Sequence, residues 1–187
     1  RLALNHKPDF IDAHINLTQT LLELGNFDEA LDSARSGVEC GPVSALAHES
    51  LAAVLLSQND CAAAADACRK AIGLDAAPGE PYLALGNALI GLGEFEAAIE
   101  PLCQAKERLP DHAVIHNSLG VALLESNRLD EAEVALRRAI ELVPTMIEAY
   151  SNLAHLLILS HQPEDAAAHA WRAVELDKGF AAGWNNL

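Results

Sequence analysis

An all-α repeat protein is the fold class that the sequence predicts, and three observations predict it. Alanine and leucine dominate a chain that is 51% hydrophobic but only 4% aromatic, and β-branched residues are sparse, which favours helix over sheet. The stretch Leu85–Leu102, LGNALIGLGEFEAAIEPL, overlays Leu119–Leu136, LGVALLESNRLDEAEVAL, at an offset of 34 residues. The same register recurs at Leu17–Ala34 (LTQTLLELGNFDEALDSA), Leu51–Cys68 (LAAVLLSQNDCAAAADAC) and Leu153–Ala170 (LAHLLILSHQPEDAAAHA). Five units therefore run over 11–44, 45–78, 79–112, 113–146 and 147–180.

Each unit reads as two helices about a turn. Large residues at unit positions 7 and 11 fill the space between the helices, Leu85 and Leu89 in the third unit being examples. Alanine at position 20 (Ala30, Ala64, Ala98, Ala132, Ala166) and an often small residue at position 8 let the two helices approach. In the first and third units Gly25 and Gly93, at position 15, fall where a left-handed residue ends a helix. Asn59 and Asn127 take that place in the second and fourth. His161 departs from the pattern in the fifth, but Pro163 two residues on suits the first turn of the next helix.

The third unit contains two irregularities. Its GNALIGLG stretch begins like a phosphate loop, with Gly86 and Gly91 at the right separation. Leu92 and Gly93 stand where the lysine and hydroxyl of G-x-x-x-x-G-K-[ST] are required, so the phosphate chemistry is missing. Gly86 is then a packing residue, Gly93 a helix stop, and Gly91 is tolerated near a helix end at a cost of about 1 kcal/mol. Pro101 lies well inside a second helix, where it removes one backbone hydrogen bond and predicts a local bend on the outer surface. At the termini, Arg1–Phe10 matches positions 25–34 of a preceding unit and Ala181–Leu187 positions 1–7 of a following one. An internal segment of a longer array is expected, with end-to-end self-association through apolar residues such as Leu2, Leu4, Trp184 and Leu187.

The period, the leucine at position 7, the alanines at positions 20 and 27 and the prolines at position 32 (Pro42, Pro110, Pro144) together resemble the tetratricopeptide repeat. Position 4, large in that family, holds His14, His48, Tyr82, His116 and Tyr150. The resemblance covers nearly the whole chain and implies a right-handed superhelical solenoid. Its first helices would line a concave groove that binds a protein or an extended peptide.

By that resemblance, groove positions are 2, 5, 6, 9 and 13 of each unit. Their polar occupants include Asp12, Asn16, Gln19, Glu23, Glu49, Glu80, Asn87, Asn117, Glu125, Glu148, Asn152, His155 and Asn186, together with serines such as Ser50, Ser118 and Ser151. No lysine or arginine occurs there, so a neutral or basic ligand is expected in preference to an acidic one. Clamping of a C-terminal carboxylate, which relatives achieve with basic residues, is disfavoured. Asparagine at position 6 (Asn16, Asn152, Asn186) can pair with a ligand's peptide groups through one donor and one acceptor. That feature is similar to the repeat arm of O-linked N-acetylglucosamine transferases, although Ser50, Ala84 and Ser118 interrupt the ladder. A substrate-presenting arm of a larger glycosyltransferase is accordingly the alternative to an interaction scaffold, and an architectural, self-associating module is a third reading.

The remaining chemistry is sparse. A formal charge of −15, from 27 acidic and 12 basic residues, disfavours nucleic acid. No long apolar run or leader is visible, so no membrane span and a cytoplasmic location are expected. His14, His48 and His116 share one repeat position and so fall in different layers, too far apart for one metal ion; no cofactor is expected. No nucleophile-base set is recognisable and no catalysis is expected in this segment. Cys40, Cys61, Cys68 and Cys103 form no C-x-x-C pair and are expected to be free thiols. Arg35, Arg69, Lys70, Arg137, Arg138 and Arg172, late in the second helices, are expected to complement the helix dipole.

Overall fold

The computed structural model describes residues 10–75 and 78–179. These residues form ten α-helices and, among them, no strand: α1 (Ile11–Glu23), α2 (Phe27–Cys40), α3 (Ala45–Ser57), α4 (Cys61–Leu74), α5 (Glu80–Gly91), α6 (Phe95–Arg108), α7 (Ala113–Glu125), α8 (Leu129–Leu142), α9 (Ile147–Leu159) and α10 (Pro163–Leu176). The second helices begin at 27, 61, 95, 129 and 163, which keeps the 34-residue register to the residue. Leu2, Leu4, Trp184, Asn186 and Leu187 lie outside the described residues.

One turn recurs five times. Gly25, Asn59, Gly93, Asn127 and His161 all have positive φ, between 59° and 76°. The following residue's N–H returns to the carbonyl of the position-11 leucine, as Asn26 to Leu21, Asp60 to Leu55, Glu94 to Leu89, Arg128 to Leu123 and Gln162 to Leu157, each at 2.9 Å. This is the six-residue C-terminal cap that a left-handed residue closes. His161 thus adopts the same conformation as its glycine and asparagine counterparts, and Pro163 opens α10 as its sequence position suggests.

The chain divides into two compact units, Arg1–Glu94 and Phe95–Leu187. In the first, α1 pairs with α2 and α3 with α4, each second helix packs on the next first helix, and α1, α3 and α5 pack in succession. In the second, α7 pairs with α8, α9 with α10, and α7 packs on α9. The first helices thereby form a continuous face within each unit.

Small side chains set the crossings. The position-20 alanines are all at most 1% exposed. A Cβ on Gly120 would stand 2.6 Å from Leu136 Cδ2 and Cγ, so α7 and α8 touch through a residue with no side chain. Where α1 meets α2, the His14 carbonyl accepts from Thr18 Oγ1 at 2.8 Å and from Ser33 Oγ at 3.1 Å. Gly91 requires a different account from the one its sequence context suggests. A Cβ there would collide with Cys61 Sγ, the end of a short side chain that would have to turn aside, so the glycine also marks a close approach of α4 to α5. Helix α6 continues through Pro101, which is partly buried.

The position-4 residues repeat a bond that joins successive units of the array. His48 Nε2 donates to the Pro42 carbonyl at 3.0 Å, His116 Nε2 to that of Pro110 at 2.7 Å, and Tyr150 Oη to that of Pro144 at 3.3 Å. Imidazole here does the work of a phenol: buried, it presents one N–H to a carbonyl that proline leaves at the turn. Because a carbonyl can only accept, Nε2 carries the proton in both histidines.

Candidate functional site

The first-helix face of the Arg1–Glu94 unit holds a pocket of about 520 Å³. Helix α1 contributes Ile15, Gln19 and Leu22; α3 contributes Leu46, Glu49, Ser50 and Leu56 among others; α5 contributes Glu80, Leu83, Ala84 and Asn87. These fall at unit positions 2, 5, 6, 9 and 12, one helical stripe repeated on three parallel elements. Four residues singled out from sequence, Gln19, Glu49, Glu80 and Asn87, are therefore brought together around one cavity.

The pocket is more apolar than its sequence-derived polar residues suggest. Ile15, Leu22, Leu46, Leu56 and Leu83 form much of its wall, and position 12, held by Leu22 and Leu56, was absent from the expected groove positions. A hydrophobic residue at positions 2, 5 or 12 is the signal that identifies this lining once the helix stripe is drawn.

Glu49 is the unusual group in it. Its Oε1 is shielded from water and has no hydrogen-bond partner. Burial, followed by the neighbouring Glu80 and Asp75 carboxylates, pushes its carboxyl pKa above the usual range. Beneath it Cys68 also lines the pocket, 1% exposed, and burial with Glu49 close by raises its thiol to about 12. That thiol stays protonated and unreactive at neutral pH. All four cysteines are free.

The other sequence-derived residues are dispersed. Asp12, Asn16 and Glu23 are exposed on α1 but do not line the pocket. On α7 and α9, Glu125, Glu148 and His155 are exposed, while Asn152 Nδ2 donates to Asn117 Oδ1 at 3.0 Å. The asparagines of neighbouring repeats thus engage each other, and one amide N–H that the sequence reading assigned to a ligand is already used. Ser118 and Ser151, read as groove residues, are instead buried, at 7% and 5% exposed. Asn186 lies outside the described residues.

The arginines also depart from expectation. Arg69, Arg137, Arg138 and Arg172 stand before the last turn of their helices, where the dipole acts weakly, and each is held by a carboxylate. Arg69 pairs with Asp66 at 3.1 Å, Arg137 with Glu133 at 2.7 Å, Arg172 with Glu175 at 3.0 Å, and Arg138 with both Asp111 and Glu141. These exposed pairs contribute little to stability, but they occupy the bases. Among the described residues no group of three or more His, Cys, Asp or Glu is placed to hold a metal ion, and no helix is long and apolar enough to cross a membrane.

Two tetratricopeptide repeat family models match the chain, one over residues 16–81 and 83–147, the other over 123–184. No curated protein matches it in sequence. Among solved structures it is similar to YrrB, described as a tetratricopeptide repeat protein with an unusual peptide-binding site, at 20% identity and TM-score 0.77, covering 98% of this chain and 94% of that one. It is similar to MamA from Desulfovibrio magneticus RS-1 at 19% identity and TM-score 0.79, covering 91% and 96%. PilF of Pseudomonas aeruginosa aligns at 22% identity and TM-score 0.82, covering 94% and 80%. Likeness at this level of identity speaks to the helical-repeat fold.

Proposed function

The chain belongs to the tetratricopeptide repeat family, and from that premise we propose that it is a protein-interaction scaffold whose first-helix face receives an extended peptide or protein segment, neutral or basic in preference to acidic. The observation that carries this reading is the pocket on α1, α3 and α5, where apolar walls are combined with carboxylates and amides. Apolar burial would supply affinity, and the polar groups at its edge would orient the ligand. The four carboxylates at the groove positions of the Arg1–Glu94 unit, Asp12, Glu23, Glu49 and Glu80, would disfavour an acidic segment. Arg69, Arg137, Arg138 and Arg172 on the second helices are tied to acids and offer a poorer site for an anionic partner.

Titration calorimetry with two leucine-rich heptapeptides, identical except that one carries lysine and the other glutamate at the centre, tests the reading. The lysine peptide is expected to bind more tightly and to weaken as salt is added. Gln19→Ala, in the pocket lining, is expected to weaken neutral peptides of unrelated sequence by a similar factor, about 1 kcal/mol, through the loss of a backbone contact. Arg69→Ala on α4 should leave them unchanged. Weakening by Arg69→Ala without any effect of Gln19→Ala would move the site to the second helices and refute the proposal.

A further inference from the structure

We infer that the α1–α3–α5 pocket is a subsite for one basic side chain of the bound segment, with its aliphatic stem along Leu46, Leu56 and Leu83 and its cationic head between Glu49 and Glu80. This rests on the groove reading above and names the residue class which that groove selects. The cavity combines two features that a simple apolar slot would not. Its wall is mainly aliphatic, and it contains a carboxylate with one oxygen cut off from water and from every hydrogen-bond donor.

That oxygen, on a partly buried side chain, is left unsatisfied, and nothing within the fold supplies it with a partner. None of the fifteen lining residues is basic. Burial, and after it the like-charged Glu80 and Asp75, hold the Glu49 proton more tightly. A lysine or arginine side chain matches both features, because its methylene stem covers apolar surface while its head remains available for a carboxylate. A leucine in the same place would desolvate Glu49 further without pairing it. A glutamate would add a third like charge.

The test uses three six-carbon probes, n-hexylammonium, n-hexanol and hexanoate, titrated into the intact protein and followed by amide chemical shifts. n-Hexylammonium is expected to shift Glu49, Ser50, Ala53, Ala84 and Asn87 and to bind about tenfold more tightly than n-hexanol, with hexanoate weakest. At saturation it should also lower the titration midpoint of the Glu49 carboxyl carbon. Glu49→Gln should abolish the preference for ammonium over alcohol, Glu80→Gln should reduce it, and Glu107→Gln on α6 should leave it intact. Equal binding of alcohol and ammonium, unchanged by Glu49→Gln, would overturn this inference and leave the groove proposal standing. If the lysine heptapeptide and all three probes leave α1, α3 and α5 unshifted, both fall.

Discussion

The same substitution, glycine to alanine, should act in opposite directions at two helical positions. At Gly73, inside α4, an added Cβ meets nothing within 4 Å. The change then yields only the backbone benefit, about 0.5–1 kcal/mol of stabilisation. At Gly120, inside α7, that benefit is opposed by contact at 2.6 Å with both Cγ and Cδ2 of Leu136. Leu136 is 0% exposed, and displacing its Cγ means moving a whole core side chain. Overpacking of this kind costs about 1–3 kcal/mol. Two carbons in collision argue for the upper half of that range, leaving Gly120→Ala destabilised by about 1–2 kcal/mol net. The two variants should differ in melting temperature by roughly 4–10 °C for a chain of this size, read by far-UV circular dichroism, with urea midpoints in the same order. A Gly120→Ala protein that melts at or above the wild type would refute the close-crossing account of α7 and α8.

Three further outcomes are expected. His161, held at φ 60°, should tolerate glycine with a gain of about 0.5 kcal/mol and resist valine with a loss of at least ~1 kcal/mol, the thermal order being Gly, His, Val. In the native protein Cys68 should react with a thiol-specific disulfide reagent far more slowly than the half-buried Cys40 and Cys103, and equal rates for all four cysteines would contradict its burial. Burial, with Arg137 adding and Asp165 and Glu133 opposing, holds His169 below the ordinary histidine range. The unfolded chain therefore takes up this proton first, so stability should be full above about pH 6.5 and fall below it. His169→Gln should flatten that slope, and an unchanged slope would remove His169 from the account.

Periodicity made the backbone legible. Position 15 marked a left-handed residue at Gly25, Asn59, Gly93 and Asn127 because only a few side chains accept that conformation, and His161 falls in line despite its different chemistry. Small residues marked the crossings for a similar reason: Gly120 can be read as a close approach without knowing that Leu136 is the partner. What sequence could not supply was identity across elements. Gly91 read only as a glycine tolerated near a helix end because Cys61, thirty residues earlier, is invisible in a helix-by-helix reading. The site was half visible for the same reason. Gln19, Glu49, Glu80 and Asn87 were found by their polarity, whereas Leu22 and Leu56, at a position outside the expected groove set, emerge only when the packing of α1, α3 and α5 exposes their common face. Asn152 and Asn117 were each read as facing a ligand, and only their positions on adjacent helices reveal the bond between them.

The five capped turns have an evolutionary consequence. Positions 8, 11, 15 and 20 fix the hairpins, whereas the pocket draws mainly on positions 2, 5, 6, 9 and 12, so the architecture and the proposed recognition site occupy largely separate letters of one repeating word. A lineage can rewrite the second set one letter at a time without rebuilding the first. The backbones of YrrB and MamA remain superposable on this one at about a fifth identity, as such a division allows. Specificity in such a protein is then inherited loosely, and the ligand of one member is a poor guide to the ligand of the next. New recognition can arise by drift on a scaffold whose folding instructions are stored elsewhere in the same helices.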